Sequence, residues 1–255
     1  MAVLIPTRAA SDLFAGWWQL IAGLGAVPRV LVWYGEGAIG RWRAGRPELT
    51  ADCQAFRGTL GARVVVCKPA DPEAKGMIER AHDYLERSFL PGRTFAGPAD
   101  LNAQLAAWLA LVNTRPRRAL GCSPAQRITA DKAAMLTLPP VAPQTGWRAQ
   151  SRLPRDHYVR LDSNDYSVHP AAIGRRIEVT ADLARVRVFC DGQMAADHER
   201  CWAWHQSISD PGHIAAARAM RRDRVTALRP AAEPEVQIRA LSDYDAALGT
   251  GGGVT

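Results

Sequence analysis

A tyrosine occupies a position where an active-site carboxylate would be expected. The stretch VLVWYGEG at residues 30–37 is apolar up to Trp33, stops at Tyr34 and enters a glycine-flanked turn around Glu36. A short β-branched, apolar run predicts a buried strand, and its end can present one side chain to a catalytic site. The phenol of tyrosine has an ordinary pKa near 10, so it is a poor ligand for a divalent metal ion at neutral pH.

A second candidate group lies in the segment DPEAKGMIERAHDYLERSFLPGR, which predicts the longest helix, over residues 72–89. Lys75, Glu79 and either His82 or Asp83 are spaced so that they lie on one helical face. Glu79 could therefore serve an acidic site. Taken alone, the same spacing favours a surface Glu79 supported by Lys75, which is a common helix pair.

Arginines form the third candidate set. The chain has 32 Lys and Arg residues against 25 Asp and Glu, a formal charge of +7, and only three of the basic residues are lysines. A basic excess favours an anionic partner, and arginine suits phosphate because it forms paired hydrogen bonds. A GC-rich genome would also raise the arginine content. The candidate DNA contacts, besides Lys75, lie in the segment 113–127 and in the later strands: Arg115, Arg117, Arg118, Arg152, Arg155, Arg175, Arg176, Arg185 and Arg187.

The cysteines and histidines give a weaker signal. Five widely spaced cysteines define no disulfide framework, which favours a reducing compartment. His198, Cys201 and His205 have an H-x2-C-x3-H spacing that could suggest zinc. Without a second cluster, and with two tryptophans nearby, the segment is better interpreted as packed.

The elements that must position these groups alternate between strand and helix over residues 1–114. Strands are predicted at AVLIP (2–6), RVLVW (29–33) and ARVVVC (62–67), and helices at 11–24, 48–60, 72–89 and 98–114. Ser11 is the expected cap of the first helix, and 35–46 is expected to be a loop. This alternation predicts an α/β layer with a mostly parallel sheet, whose strands are apolar on both faces.

The second part of the chain has a different period. Residues 115–146 are Arg- and Pro-rich and predict a linker. Short alternating strands separated by Asn-Asp, Ala-Asp and Asp-Gly turns then predict a small all-β barrel over 147–206. Residues 207–255 predict a helix followed by a flexible tail. The chain has no basic leader or membrane-length apolar run, so a cytoplasmic protein without membrane contact is expected.

Three stretches in the expected order resemble one family. VLVWYGEGAIGRW, KPADPEAKGMIERAHDYLERSFLPGR and LNAQLAAWLALVNTRPRRALGCSPAQR are similar to the IstA-type transposases of bacterial insertion sequences, which belong to the integrase-core (DDE) group. The segment RLPRDHYVRLDSNDYSVHP resembles the small barrel that follows the core in those proteins. The resemblance implies an α/β fold, in which a partial RNase H-like integrase core at 1–114 precedes the β-barrel.

The family's chemistry uses three acids that hold two Mg²⁺ or Mn²⁺ ions for DNA strand cleavage and transfer. Glu79 matches the third acid and would be a metal ligand, whereas Tyr34 occupies the place of the second, an Asp. The first acid has no counterpart, and the resemblance suggests a chain shortened at its N-terminus. The expected result is a transposase that does not bind metal productively.

Three functions therefore stay open. The first is an insertion-sequence transposase that cleaves and joins DNA with metal ions, although the missing acids predict an inactive copy. The second is a non-catalytic module that binds DNA or a partner and interferes with an intact transposase. The third is a remnant with no function beyond a residual fold. The resemblance implies a AAA+ helper ATPase and an intact transposase copy as partners, and assembly into an oligomer.

Overall fold

The computed structural model describes residues 1–68, 72–228 and 240–248, and it contains both helices and strands. The elements of the first half are the helices α1 (Ala10–Leu24), α2 (Ala51–Leu60), α3 (Pro72–Ser88), α4 (Pro98–Asn113) and α5 (Pro124–Ala133), and the strands β1 (Val30–Trp33), β2 (Gly40–Arg43), β3 (Arg46–Leu49) and β4 (Arg63–Val66).

The second half is mainly strand and begins at Trp147. Its elements are β5 (Trp147–Arg152), β6 (Tyr158–Leu161), β7 (Asn164–Ser167), a 3-10 turn (Pro170–Ala172), β8 (Arg176–Ala181), β9 (Arg185–Cys190), β10 (Gln193–Glu199), β11 (Ser207–Ile208), α6 (Pro211–Leu228) and α7 (Leu241–Ala247). Among the described residues, no helix is both long and apolar enough to cross a membrane. The predicted flexible tail lies mostly outside the described residues.

β1 and β4 form a two-stranded parallel sheet, which agrees with the predicted α/β layer. The sheet packs one face on α1 and α2, where Phe14, Leu31, Trp33 and Phe56 are buried. Both faces of β1 carry apolar side chains, as predicted, but the expectation that both faces are covered is wrong for the described chain. Val32 in β1 is 55% exposed, because the burial of this strand alternates along its length.

The structure of the first nine residues differs from the predicted strand at 2–6. AVLIP is not a strand: the backbone N–H and C=O of Leu4 bond the side-chain amide of Asn102 on α4. α1 begins at Ala10, so Ser11 lies inside its first turn and Ala9 is the cap residue, without a side-chain bond. The helix ends at Gly25, which has the left-handed φ of 78° that glycine adopts without strain.

Two segments expected to be irregular are ordered. Residues 40–49 form the β2–β3 hairpin, whose turn uses left-handed φ values at Ala44 and Gly45. The proposed linker contains α5, which has a capping box between Ser123 and Gln126. Strands of four residues and a helix of ten residues contain too few repeats of a hydrophobic pattern to be recognised among polar neighbours in the sequence.

The later strands form two sheets, which we call the β-domain (residues 147–208). The four-stranded sheet has the order β10-β9-β8-β5, and the three-stranded sheet has the order β11-β7-β6. Within the described chain these sheets do not join into a closed ring, so a barrel is not confirmed. The turn before β7 uses Asp162 and Ser163, both at positive φ, rather than the expected Asn-Asp pair.

A core of thirteen buried residues holds the two sheets together and includes Tyr166, Ile177 and Val188. Asn164 also lies in this interior with its side chain fully satisfied. Its amide donates to the carbonyls of Cys201 and Ala203 and accepts from the N–H of Gln206. Because a buried amide is costly when unpaired, these bonds hold the 201–206 segment against β7.

Candidate functional site

The strand end that carries Tyr34 is held firmly. The indole of Trp33 packs at 4.3 Å from Trp17 and at 6.5 Å from Phe14, measured between ring centroids. Cys67 follows β4 directly and donates its N–H to the carbonyl of Trp33 at 2.8 Å, and its own carbonyl accepts a hydrogen bond from the indole of Trp42. Tyr34 therefore directly follows a strand end that is held in place, and its side chain is half-buried beside the turn at Gly35.

Glu79 lies on α3 with its side chain exposed. Aromatic contacts hold α3 against α4: Trp108 lies 5.5 Å from Tyr84 and 5.4 Å from Phe89. Lys75 is in the same helix, but its side chain lies outside the described part of the structure.

The donor set does not fit a two-metal site. Within residues 1–68, 72–228 and 240–248, no three His, Cys, Asp or Glu side chains lie close enough together to hold a metal ion. The position after β1 offers a phenol rather than a carboxylate, and a hard divalent ion prefers carboxylate oxygens.

The H-x2-C-x3-H segment is only partly packed in the described chain. His198 is buried, and its Nε2 lies 2.6 Å from the carbonyl oxygen of Ser167. His205 is exposed with a positive φ, and Cys201 points its thiol to the carbonyl of Ala203. The interpretation of this segment as packed therefore holds for His198 but is wrong for His205 and for Trp204, which is 75% exposed.

The β-domain arginines fall into two classes, and the first class is neutralised. Strand alternation places Arg185 and Arg187 on one face, as expected, but both reach the carboxylate of Asp197. Arg187 also pairs with Asp182, and Arg175 pairs with Asp191. The hydrogen bond from Arg185 holds the pKa of Asp197 below its ordinary value. These pairs reduce the positive field that a phosphate would meet.

The arginines of the second class have no acidic partner in the described residues. Arg152 and Arg176 lie opposite each other on β5 and β8, and they bond the carbonyl of Gly174 and the side-chain oxygen of Gln150. Neither partner carries a charge. Arg155 is exposed in the loop before β6 and has no ion pair within the described residues. These three side chains remain available to an anion.

The arginines after α4 form a separate group. The guanidinium of Arg117 lies over the ring of Tyr84 at 5.3 Å and is 3.4 Å from its hydroxyl. Arg115 and Arg118 are exposed beside it. Since Tyr84 belongs to α3, this basic turn lies next to the helix that carries Glu79. These three arginines lie together in one turn, which precedes the β-domain in the sequence.

Two features were missed from the sequence. The first is Arg200, whose side chain is 2% exposed and bonds Asp12 in α1 at 2.7 and 3.0 Å and Asp162 at 2.6 Å. Burial opposes its charge, but these hydrogen bonds outweigh burial and raise the pKa of Arg200. No local pattern could reveal a partner 188 residues away.

The second missed feature is the arginine set of α6. Arg218, Arg221, Arg222 and Arg224 recur at helical spacing within an alanine-rich helix. The sequence predicts this helix, but the candidate DNA contacts inferred from the sequence do not include its arginines. The structure shows that all four side chains are exposed.

Comparison with known proteins finds similarity to transposases. Residues 138–210 match the family described as Mu transposase, C-terminal domain. The chain is 28% identical over 152 residues to the transposase for insertion sequence element IS21 of Pseudomonas aeruginosa, a match that covers 58% of this chain and 39% of the relative. It is also 28% identical over 158 residues to a protein named as a transposase in Sinorhizobium fredii, covering 60% of this chain and 31% of that protein.

These matches support a transposase. The chain spans about two fifths and one third of the lengths of these relatives. The segment 138–210 also coincides with the β-domain and the linker end that leads into it.

Proposed function

We propose that this chain acts in DNA transposition as a DNA-binding part of an insertion-sequence transposase, and that it does not cleave or join DNA by itself. The observation that carries the proposal is the coincidence of the folded β-domain with the match to the Mu transposase C-terminal domain. Both transposase relatives point to the same partner, which is DNA.

The charge of the chain supports a phosphate-binding role. The formal charge is +7, and several exposed arginines of the β-domain and of the turn after α4 are not neutralised by a carboxylate in the described residues. Arg152, Arg155 and Arg176 belong to this group, as do Arg115 and Arg118. Arginine binds phosphate without reading the base sequence, so we expect weak sequence preference.

The absence of cleavage rests on the residue after β1. Tyr34 occupies the place of a carboxylate in the integrase-core resemblance, and Glu79 alone cannot hold two metal ions. An RNase H-like arrangement of the first half, an oligomer, a AAA+ helper ATPase and an intact transposase copy as partners belong to the same proposal. A chain that binds DNA without cleaving it would compete with an intact copy for the same substrate.

The binding experiment is fluorescence anisotropy with a short labelled duplex of random sequence and a second duplex of transposon-end sequence. We expect similar affinities for both, and a steep loss of affinity between about 50 and 200 mM salt, because bound arginines release counterions from DNA. Affinity that is independent of salt, or no binding at low salt, would contradict the proposal.

The cleavage experiment uses supercoiled plasmid with Mg²⁺ or Mn²⁺. We expect no nicking above the level of a buffer control. The matched variants are Glu79→Gln and Glu86→Gln, which change two exposed carboxylates on the same helix. Nicking that disappears in Glu79→Gln but persists in Glu86→Gln would show that the chain is an active nuclease.

A further inference from the structure

We propose that residues 218–228, here named the arginine half of α6, form a contact surface for the phosphate backbone of duplex DNA. The inference deepens the proposed function and rests on it for the class of partner. It assigns the main electrostatic contact to a helix beyond the β-domain rather than to the arginines on the sheet.

The first half of α6 is anchored to the β-domain. Asp210 accepts the N–H groups of Gly212 and His213 at the start of the helix, and the hydroxyl of Ser167 lies 2.9 Å from Nδ1 of His213. Ala217 is buried. The helix is therefore held at one end in a defined direction, and its later residues do not need to be ordered by a ligand.

The second half projects into solvent with its basic side chains close together. Every side chain from Met220 to Ala227 is exposed. Arg218, Arg221 and Arg222 have i, i+3, i+4 spacing and lie on one face, with Arg224 at its border. Asp223 lies about 140° around the helix from Arg218, so its carboxylate is on the other side.

These arginines also differ from the ion-paired arginines of the sheet in their surroundings. Within the described residues, none of the four has an ion pair, whereas Arg175, Arg185 and Arg187 each pair with an aspartate. A guanidinium that already bonds a carboxylate must give up that bond to bind phosphate. The α6 arginines give up no such bond. Arg152, Arg155 and Arg176 also have no ion pair, but Arg152 and Arg176 bond neutral oxygens, so the four α6 arginines should supply most of the contact.

The charge of Arg221 acts on one residue of the β-domain. Burial lowers the pKa of His157, and Arg221 acts in the same direction. Arg155, two residues earlier in the same loop, is exposed and has no ion pair within the described residues. Arg155 is therefore a further cation available to a phosphate.

Duplex DNA fits this surface better than a lipid membrane does. A helix that binds a membrane surface needs a broad apolar face opposite its basic face. The exposed apolar side chains here, Met220 and Val225, are separated on the helix, and Val225 lies among the arginines. DNA requires only closely spaced cations, since it carries about one charge per 1.7 Å of its axis.

The test compares two variants of the full chain that lose the same charge. One replaces the α6 arginines by glutamine, which has a similar helix propensity: Arg218→Gln, Arg221→Gln, Arg222→Gln and Arg224→Gln. The control replaces four exposed, ion-paired arginines elsewhere: Arg43→Gln, Arg87→Gln, Arg127→Gln and Arg160→Gln. Binding to the random duplex is measured by anisotropy over a range of salt concentrations.

We expect the α6 variant to lose at least about tenfold in affinity at low salt, and the slope of log K against log salt to fall by about 2 to 4. The control should stay within about threefold of the wild type, since its arginines are already paired. Equal losses in the two variants, or an α6 variant within about twofold of the wild type, would overturn the inference.

Two further measurements separate the remaining outcomes. If the fourfold variant loses helix by circular dichroism, the pair Arg221→Gln and Arg222→Gln replaces it and should still lower the slope by about 1 to 2. Wild-type binding to vesicles of phosphatidylcholine and phosphatidylglycerol as tight as to DNA would overturn the choice of partner. Failure of the wild type to bind DNA would refute the proposed function as well, whereas a normal wild type with an unaffected α6 variant refutes only the inference.

Discussion

At the scale of single residues, the most consequential side chain is Arg200. Its guanidinium bonds both carboxylate oxygens of Asp12 and one of Asp162, with Arg200 and Asp12 almost fully buried. Removing one member of such a group leaves a buried charge without compensation. We expect Arg200→Met to lower the free energy of unfolding by about 3–5 kcal/mol, measured by urea titration followed by tryptophan fluorescence.

The matched control for this prediction is Arg160→Met. Arg160 also contacts two aspartates, Asp156 and Asp165, but its side chain is 59% exposed. Surface ion pairs contribute little because solvent screens them. A loss in Arg160→Met as large as that in Arg200→Met would show that burial is not what makes Arg200 important.

At the scale of elements, the joint between α6 and the β-domain depends on histidines. His213 contacts Ser167, and its ring lies 5.9 Å from that of His169 and 5.8 Å from that of His198, while Asp210 caps the helix. Burial is the largest effect and lowers the pKa of His213; His198 and His169 act in the same direction, and Asp210 opposes them.

A pH dependence of stability follows from this shift. The unfolded chain binds a proton at His213 more readily than the folded chain, so acid favours unfolding. The contribution of His213 is complete above the ordinary histidine pKa of about 6.5 and is lost as the pH falls below it. We expect the free energy of unfolding to fall over this range, and to fall less steeply in His213→Gln.

The control for the pH experiment is His205→Gln, which removes one exposed imidazole. Urea titrations between about pH 7.5 and 5 give the three profiles. An identical pH slope in wild type and His213→Gln would mean that the joint between α6 and the sheet is not the source of the acid sensitivity.

At the scale of the whole molecule, the two halves stabilise each other through Asp12 and Arg200. The β-domain has its own core of thirteen buried residues, so a fragment of residues 138–228 should fold alone. In that fragment Arg200 keeps Asp162 but loses Asp12. We therefore expect Arg200→Met to cost clearly less stability in the fragment than in the full chain.

Four proteins decide this prediction: the full chain and the fragment, each with and without Arg200→Met. The difference between the two losses isolates the contact across the halves, as in a double-mutant cycle. Equal losses in both backgrounds would mean that Asp162 alone supports Arg200. A fragment that shows no cooperative unfolding would mean that the β-domain depends on α1 to fold.

Much of this protein is determined locally by its sequence. The glycine after α1, the apolar run ending at Tyr34 and the alternation of β8 and β9 each depend on neighbouring residues, so the helix end, the strand end and the shared face of Arg185 and Arg187 were predicted correctly. Backbone preferences and side-chain periodicity act over a few residues, which is the range that a sequence pattern reports.

Tertiary structure alone decided which charges remain available and which strand faces are covered. Arg200 meets Asp12 across 188 residues, and Arg187 meets Asp197 across a strand pair. The exposure of Val32 depends on what packs above its sheet, which no local pattern contains. Coulomb and packing energies depend on distance in space rather than on separation along the chain, so the arginines that stay without an acidic partner could be recognised only after the chain was folded.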